Sequence, residues 1–301
     1  MTEADKNLMY FNPDEEEPAK KPPEAAPAEK PEIMMELRDV SKAFGEGDQR
    51  MVVLEGFNAT FEKGQVTSIM GGSGSGKSTV LKHMIGAYKP DTGKIFVDGE
   101  DITGYNQKQM DSVRKKFGFM FQSGALFQSM SVEDNVALPL REHTDLNETT
   151  IKIMVKLKLE MIGLRGCEHL KPSQLSGGMI KRIALARAIA LDPKIVFYDE
   201  PSAGLDPISI GVIDKLIVDL TKKMGITSVV VTHELPSAMR ISDKIIMLFK
   251  GKIIFEGSPE EIRTSDDPRV IQFINGSPDG PIPFSKSQVD LGEELKQMKF
   301  V

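Results

Sequence analysis

Features that secreted and membrane-spanning proteins need are missing from this sequence of 301 residues. Cys167 is the single cysteine, so no disulfide can form within the chain, and a disulfide-stabilised secreted scaffold is excluded. No apolar run approaches the roughly 20 residues that a helix needs to cross a bilayer, so a membrane role would have to come through partner proteins. No basic-then-apolar signal segment begins the sequence, and we therefore expect a cytosolic protein.

Positive charge and metal-binding clusters are also scarce. Lys and Arg number 38 against 44 Asp and Glu, which gives a formal net charge of −6. This balance lacks the basic footprint of a nucleic-acid-binding domain, so we expect no nucleic-acid partner. The four histidines show no metal-ligand spacing among themselves: His83, His143, His169 and His233. An apolar share of 40% is ordinary for a globular protein with a real core.

The stretch that organises the chain is a glycine-rich loop between an apolar run at residues 66–70 and a helical pattern at residues 80–85. The loop consists of Gly71, Gly72, Ser73, Gly74, Ser75, Gly76, Lys77, Ser78 and Thr79. Its glycines let successive backbone N–H groups point at one spot, and the following helix adds its N-terminal dipole there. Such a loop cradles phosphates, so Lys77 is predicted to reach the β- and γ-phosphates of a nucleoside triphosphate and Ser78 to hold Mg²⁺. A flexible glycine linker is the alternative, which the flanking strand and helix disfavour.

Acidic residues follow another apolar run. Residues 195–198 have the pattern of a buried strand in a parallel sheet and lead into Asp199 and Glu200. Because ligands of open α/β sheets sit at the carboxyl ends of the strands, we expect both carboxylates to face the phosphates. Asp199 is predicted to orient Mg²⁺, and Glu200 to polarise the attacking water as general base. Two solvated loop acids are the alternative, which their direct link to an apolar strand disfavours.

Two further candidate residues follow apolar runs. His233 comes after residues 228–232, where an imidazole can contact the γ-phosphate and hold the geometry of the water. Gln122 comes after residues 117–121, and its amide oxygen can reach Mg²⁺ or the attacking water. By itself, a histidine is more often structural, and an ordinary loop glutamine is the simpler interpretation of Gln122.

A second helix start suited to an anion begins at Ser176. This serine is a good N-cap, Gly177 and Gly178 allow close approach, and residues 180–190 form a strong helical pattern. A purely structural helix start does not need two glycines just inside it. One chain thus offers two helix termini that can bind phosphate.

Composition divides the chain into segments. They are a Pro/Glu-rich tail (1–32), a globular domain (33–258), a helix with a Gly/Pro-rich extension (259–285) and a C-terminal tail (286–301). The N-terminal tail is expected to stay disordered or extended. In the domain, paired strands precede the glycine loop, and a helical insertion occupies about residues 123–175. Phe44 is predicted in the turn between the paired strands, where it either stacks on a purine or simply packs.

Taken together, these motifs resemble the ATPase subunits of ATP-binding-cassette (ABC) transporters. They are residues 71–79, Gln122, the signature at 175–179, Asp199 with Glu200, the loop at 202–206 and His233, in the order and rough spacing of that family. The resemblance covers about residues 33–258. It implies an α/β P-loop NTPase with a RecA-like core, an N-terminal antiparallel β subdomain and an inserted helical subdomain, which hydrolyses ATP with Mg²⁺. Met179 departs from the glutamine most common in the family.

The resemblance also implies how the chain assembles. Two copies would form a head-to-tail homodimer with two ATP molecules between them, each touched by one chain's phosphate loop and by the other chain's signature. The signature residues are Ser176, Gly177, Gly178 and Met179, and Asp206 would be the aspartate of the family's D-loop. The loop at Gln122 and the helical insertion would contact an integral membrane permease. The chain would therefore lie at the cytoplasmic face of the inner membrane.

A narrower resemblance rests on residues 122–127, 135–144 and 267–284. These are similar to the ATPases of the Mla phospholipid-trafficking system of Gram-negative bacteria and of its Mce-linked relatives. That family implies a periplasmic Mce-type lipid-binding protein and a small STAS-domain protein as partners. It also implies that phospholipid moves between the inner and outer membranes, which maintains outer-membrane lipid asymmetry. We further expect Ile282 and Phe284 to anchor the extended end of this segment on a neighbouring subunit.

Two other functions stay open from the sequence. An ATPase of the same fold can serve an importer of amino acids or another small solute. A soluble cassette protein can instead act on ribosomes or DNA, although such proteins usually carry two cassettes or a long coiled coil, and this sequence has neither. A non-enzymatic nucleotide-binding scaffold is disfavoured because Glu200 and His233 are both present.

Overall fold

The computed structural model describes residues 31–282, and the fold is given for these residues. Three predicted features lie outside them: the Pro/Glu-rich tail up to residue 30, the anchor Phe284 and the C-terminal tail at 286–301. The described residues form two sheets with helices between the strands, which confirms the predicted α/β class with an antiparallel sheet near the N-terminus.

The strands belong to two sheets. In chain order they are β1 (Ile33–Phe44), β2 (Met51–Glu62), β3 (Val66–Gly71), β4 (Thr92–Val97), β5 (Glu100–Asp101), β6 (Phe117–Met120), β7 (Ile195–Asp199), β8 (Thr227–Val231), β9 (Lys244–Phe249) and β10 (Lys252–Gly257). The first sheet is antiparallel and has the order β2-β1-β4-β5. The second has the order β10-β9-β3-β8-β7-β6, and its strands are parallel except for β10.

Most helices of the described residues begin at a residue whose side chain caps the first turn. They are α1 (Lys77–Met84), α2 (Gln107–Arg114), α3 (Val132–His143), α4 (Glu148–Met161), α5 (Gly177–Ala188), α6 (Pro207–Met224), α7 (Leu235–Ile241), α8 (Pro259–Arg263) and α9 (Pro268–Asn275). Side chains of Ser131, Asn147 and Ser176 cap α3, α4 and α5. Helices α2, α6 and α7 have weak signals in the sequence and are not predicted from it, because α2 has few apolar residues, α6 contains Gly211 and α7 is short.

Phe44 is the last residue of β1, where it pairs with Met51 at the start of β2. Its predicted place in the turn is therefore wrong, because strand pairing continues to the last possible residue before the connection. That connection, residues 45–50, contains a short 3-10 helix, Gly47–Gln49. The paired strands predicted before the glycine loop are confirmed.

Parallel strands in the second sheet are buried along almost their whole length. Every residue of β3 and β8 is buried, as is β7 up to Tyr198. Helices cover both faces of such a sheet, so its strands consist of continuous apolar runs, as the sequence predicts. Since β8 lies between β3 and β7, the carboxyl ends of β3, β8, β7 and β6 meet along one edge. This edge is the place where the predicted site residues converge.

Three apolar clusters form the core of the described residues. The largest packs α3, α4, α5 and α6 against the second sheet, and another packs α1 between the two sheets. The smallest joins β9 to α8 and α9. The helices α3 and α4 lie inside the segment predicted as a helical insertion. No helix between residues 31 and 282 is long and apolar enough to cross a membrane.

The segment after α9 turns back onto its own chain. The side chain of Gln272, which is 8% exposed, donates to the carbonyl oxygens of Ser277 and Ile282. Its Oε1 accepts from the backbone N–H of Ile282 at 2.7 Å. Ile282 is thereby held within its own subunit at the level of the backbone. The predicted packing of this region on a neighbouring subunit stays a prediction.

Candidate functional site

The glycine loop leaves the carboxyl end of β3 and enters α1 directly. Gly71 has a φ of 144°, and a Cβ atom there would lie 2.3 Å from the carbonyl oxygen of Leu248, so only glycine fits. The Nζ of Lys77 donates to the carbonyl oxygens of Gly71 at 2.7 Å and Gly72 at 3.0 Å. Burial lowers the pKa of Lys77, while the carboxylates of Glu200 and Asp199 oppose this shift. The ammonium group therefore lies over the loop, where it can donate charge-assisted hydrogen bonds to a phosphate.

A cavity of about 570 Å³ opens beside the loop. Its walls consist of Phe44, residues 51–53, residues 74–79, Lys250 and Gly251. Phe44 packs edge-on against Tyr88, with the ring centroids 5.4 Å apart, and still lines the cavity. The size is that of a typical small-molecule site, and the cavity has an apolar wall on one side and the phosphate-type loop on the other.

The acidic pair stands at the end of β7, as the sequence predicts. Asp199 is its last residue, and Glu200 follows with a φ of 48°, which is a left-handed conformation that side chains other than glycine rarely adopt. The backbone N–H of Glu200 donates to the carbonyl oxygen of Val231 at 2.8 Å, which ties the pair to β8. Burial raises the pKa of Asp199, and the Glu200 carboxylate adds to the rise, whereas Lys181 and Lys77 oppose it.

His233 reaches the acidic pair from the neighbouring strand. Its Nδ1 lies 2.9 Å from Oε2 of Glu200, a contact without the alignment of a hydrogen bond. That oxygen is buried and has no hydrogen-bond partner among the described residues. Gln122 lies two residues beyond β6, exposed, at the same edge of the sheet. The structure thus brings the glycine loop, Asp199, Glu200, His233 and Gln122 to one edge.

Two cations of α5 belong to this site and were missed by sequence reasoning. Lys181 is 5% exposed, and its Nζ donates to the carbonyl oxygens of Gln122 and of Glu200. Arg187 donates to the carbonyl oxygens of Gly124 and Ala125. A signal was present, because Lys181 precedes Leu185 by one helical turn and so falls on the buried face of a helix. A lysine on such a face needs buried acceptors.

The signature lies elsewhere on the chain surface. Ser176 accepts a hydrogen bond from the backbone N–H of Met179, and these two residues with Gly177 and Gly178 form the first turn of α5. A Cβ atom at Gly178 would lie 3.2 Å from Oγ of Ser209, so the start of α5 packs closely on that of α6. None of the four residues lines the cavity beside the glycine loop in the described part of the chain. The structure therefore does not bring the two phosphate-type helix termini together within one chain.

Asp206 caps α6 rather than pointing into the cavity. Its carboxylate accepts from the backbone N–H groups of Ile208 and Ser209 and from the hydroxyl of Ser209. These bonds, that of the Ser209 hydroxyl foremost, lower the pKa of Asp206. The expected D-loop aspartate thus has a structural task that the sequence analysis did not assign.

Comparisons with known proteins agree with this geometry. A family model described as ABC transporter matches residues 54–203. The chain is 45% identical over 262 residues to the intermembrane phospholipid transport system ATP-binding protein MlaF of Haemophilus influenzae, covering 87% of this chain and 98% of that protein. The chain belongs to the ABC transporter family. As a member of this family it binds and hydrolyses ATP as a transporter subunit.

Other members of the ABC transporter family differ in similarity and in described cargo. MlaF of Escherichia coli K12 is 46% identical, covering 87% of this chain and 96% of that protein. The probable ribonucleotide transport ATP-binding protein mkl of Mycobacterium tuberculosis is 40% identical over 264 residues, covering 72% of its length. Among solved structures, the dimeric ABC transporter cassette MJ0796 superposes with a TM-score of 0.70 at 33% identity, over 75% of this chain and 99% of that one.

Proposed function

We propose that this ATPase powers the movement of phospholipid between two membranes and so maintains outer-membrane lipid asymmetry. The observation that carries the proposal is identity of 45–46% along 96–98% of the MlaF proteins, which are named for intermembrane phospholipid transport. The relative named for ribonucleotide transport is 40% identical, and the chain covers 72% of it. That relative keeps a small-solute transporter as the second candidate.

Within the site, we assign the phosphate-binding role to residues 71–79, with Lys77 on the β- and γ-phosphates, and base contact to Phe44 in the cavity wall. Mg²⁺ fits three oxygen donors, which are the hydroxyl of Ser78 in the first turn of α1, the amide oxygen of Gln122 after β6 and the carboxylate of Asp199 at the end of β7. Among the described residues, no cluster of three His, Cys, Asp or Glu side chains could hold a metal alone, so the ion would share its coordination with phosphate. When bound, it supplies charge neutralisation at the phosphates.

Glu200 is the proposed general base that polarises the attacking water. Support comes from its buried Oε2, which has no hydrogen-bond partner among the described residues and is free to accept from a water. His233, in contact with that oxygen, would hold the water and contact the γ-phosphate. Gln122 would sense the nucleotide from the end of β6.

A homodimer would complete the site. The helix start formed by Ser176, Gly177, Gly178 and Met179 does not line the cavity of its own chain, and Asp206 caps the neighbouring helix α6. A second chain placed head to tail would bring this start to the phosphates of the first. The superposing cassette MJ0796 is described as dimeric, in one structure with ADP and phosphate bound.

A permease would occupy a separate cleft. This cleft, of about 730 Å³, lies between residues 117–127, α3 and the end of α5, and Phe121 and Phe127 are 46% and 52% exposed in it. Exposed aromatic rings beside basic groups such as Arg114 are typical of protein interfaces. A membrane-embedded partner seated here would touch the loop of Gln122 and hold the chain at the cytoplasmic face of the inner membrane.

Two further partners complete the proposal, a periplasmic Mce-type lipid-binding protein and a small STAS-domain protein. Only the second would contact this chain. The outward face of α4 carries an apolar stripe of Ile153, Leu157 and Met161, which are 56%, 59% and 38% exposed. Such a contiguous stripe supports a contact with one more protein.

Affinity purification from gently solubilised membranes tests the proposal. We expect a permease, an Mce-type protein and phospholipid to copurify, and we expect Phe127→Ser to lose all three. Ile271→Ser is the matched control, because Ile271 is an apolar residue of α9 that is 43% exposed, and this variant should keep all three partners. A solute-binding protein in place of the Mce-type protein would keep the ATPase and discard the lipid. Ribosomes or no partner would overturn the transport proposal.

A further inference from the structure

Lys181 connects two separate parts of the catalytic edge. It lies in the second turn of the signature helix, α5, and only 5% of it is exposed. Its ammonium donates to the carbonyl oxygen of Glu200 at 3.0 Å and to that of Gln122. An ammonium has three N–H donors and no acceptor, and two of these donors bond to main-chain carbonyl oxygens from different loops. Neither bond depends on which side chain stands at position 122.

Glu200 needs such support because of its backbone. Its φ of 48° lies in the left-handed region, which disfavours every residue that has a Cβ atom. The peptide group before it is held by the bond from its N–H to the carbonyl oxygen of Val231. The carbonyl oxygen of the peptide group after it accepts from Lys181 at 3.0 Å and from the backbone N–H of Ala203 at 3.2 Å. With both peptide groups held, the main chain sets the direction of the Cα–Cβ bond from which the Glu200 carboxylate extends.

Helix α5 also forms hydrogen bonds to the loop that follows β6. Arg187 donates to the carbonyl oxygens of Gly124 at 2.8 Å and Ala125 at 2.7 Å. Together with Lys181, this helix binds the loop at three main-chain carbonyls within four residues. The same loop borders the cleft assigned to the permease, and the same helix begins at Ser176.

We propose that Lys181 is a positioning residue for ATP hydrolysis, which holds Glu200 in its left-handed conformation and ties it to the signature helix and the loop at 122–125. A displacement of the cleft or of the signature is then carried to the carboxylate through one ammonium. The inference rests on the proposed role of Glu200 as general base. It adds a main-chain link that does not pass through the nucleotide.

Three variants of the full chain, assayed in the purified membrane complex, test this. Lys181→Met keeps the length of the side chain and removes the donors, and we expect kcat to fall about 100-fold, as for a misplaced catalytic group, with the KM for ATP within twofold of wild type. Lys181→Gln keeps two N–H donors without charge, and we expect its kcat within about tenfold of wild type. Arg182→Met is the matched control, because Arg182 donates to the carbonyl oxygen of Ile162, away from the site, and it should keep the wild-type kcat.

The outcomes separate the positioning role from a structural one. If Lys181 were only structural, Lys181→Met would have a lower melting temperature and would yield less active complex. At a fixed enzyme concentration, Lys181→Gln would then not restore kcat. If Lys181→Met fails to assemble, the test instead compares the kcat of Lys181→Gln with that of the control Arg182→Met. A Lys181→Met kcat within twofold of wild type, or a rise in KM instead, overturns the inference. Glu200→Gln is assayed in parallel, because wild-type hydrolysis by that variant would refute the proposed base and not the contacts of Lys181.

Discussion

Asp199 and Glu200 are adjacent in sequence, yet their surroundings suit them to different tasks. Burial raises the pKa of Asp199, with the Glu200 carboxylate next in effect, and two lysines oppose the rise. Glu200 has a side chain that is 12% exposed, one unpartnered oxygen and a histidine beside it. Burial and the neighbouring carboxylate therefore disfavour the ionised form of Asp199, and Lys181 and Lys77 offset this only in part. Glu200 keeps one oxygen without a hydrogen-bond partner among the described residues.

Replacement of Glu200 by Gln separates binding from hydrolysis. The amide keeps the shape and loses the basic oxygen, so we expect ATP affinity to be retained and kcat to fall by about 10²- to 10⁴-fold. Because ATP then persists at the interface, we expect a trapped closed dimer. Size-exclusion chromatography with ATP and a steady-state ATPase assay check both results. Glu256→Gln, on β10, is the control, and unchanged hydrolysis by Glu200→Gln would contradict the assignment.

Replacement of Lys77 by Ala should act on binding itself. Its ammonium, held over the loop by two carbonyl oxygens, is the charged donor nearest to the predicted phosphates. Loss of a charge-assisted hydrogen bond weakens ATP binding by about 10- to 100-fold. Titration with a fluorescent ATP analogue measures this. Lys82→Ala, one turn later in α1, removes an equal charge and should bind as the wild type does; equal losses in both variants would argue against a specific contact.

At the scale of elements, local capping explains much of what the sequence analysis located. Ser176 caps a helix that begins where polar and glycine residues interrupt the apolar pattern. The elements that were missed have weak local signals. In α6, Gly211 interrupts the helical pattern, while a long apolar face packs against the sheet and α5. Tertiary burial supplies the stability that local propensity lacks there.

The cap of α9 gives a stability prediction. Asp267 accepts from the backbone N–H of Arg269 and pairs with its guanidinium, and these bonds, the side-chain pair foremost, lower the pKa of Asp267 to about 2. We expect Asp267→Ala to lower the free energy of unfolding by about 1 kcal/mol at neutral pH, as for other N-caps. Asp267→Asn keeps the cap and should lose less. Chemical denaturation measures both values.

The pH dependence of this pair follows from the direction of the shift. The folded-state pKa of Asp267 lies below its ordinary value of 3.8, so its charge stabilises the fold above that value. This contribution is lost as the pH falls from about 4 toward 2. The difference in stability between wild type and Asp267→Asn should therefore shrink over that range. A difference that stays constant would show that the charge of Asp267 contributes nothing.

At the scale of the whole molecule, the distance between the signature and the cavity has a consequence for mixed dimers. Lys77→Ala and Ser176→Arg should each abolish ATPase activity when pure. In a heterodimer of the two, one site would carry both defects and the other neither, because in the proposed head-to-tail dimer each site takes its loop and its signature from different chains. Equimolar mixing should recover about a quarter of the wild-type activity if subunits exchange freely in a twofold dimer. No recovery would mean that loop and signature act within one chain.

Much of the site could be predicted because the residues that form it occur in short, continuous segments of the sequence. The glycine loop carries its own strand, its turn residues and its helix start, and the apolar run before Asp199 identifies a buried strand whose end faces ligands. Composition also determined that no disulfide forms within the chain. These conclusions depend on interactions between residues close in sequence, which physical rules describe without knowledge of the fold.

Only the tertiary structure decided which separate segments meet. Lys181 gains its role from the carbonyl oxygens of Gln122 and Glu200, which are 59 and 19 residues away in sequence. The contact of His233 with Glu200 likewise joins residues from the ends of two different strands. A main-chain carbonyl is present at every position, so the sequence does not mark which one a buried ammonium will find. That choice follows from the strand order, which places β8 between β3 and β7 and collects their ends at one edge.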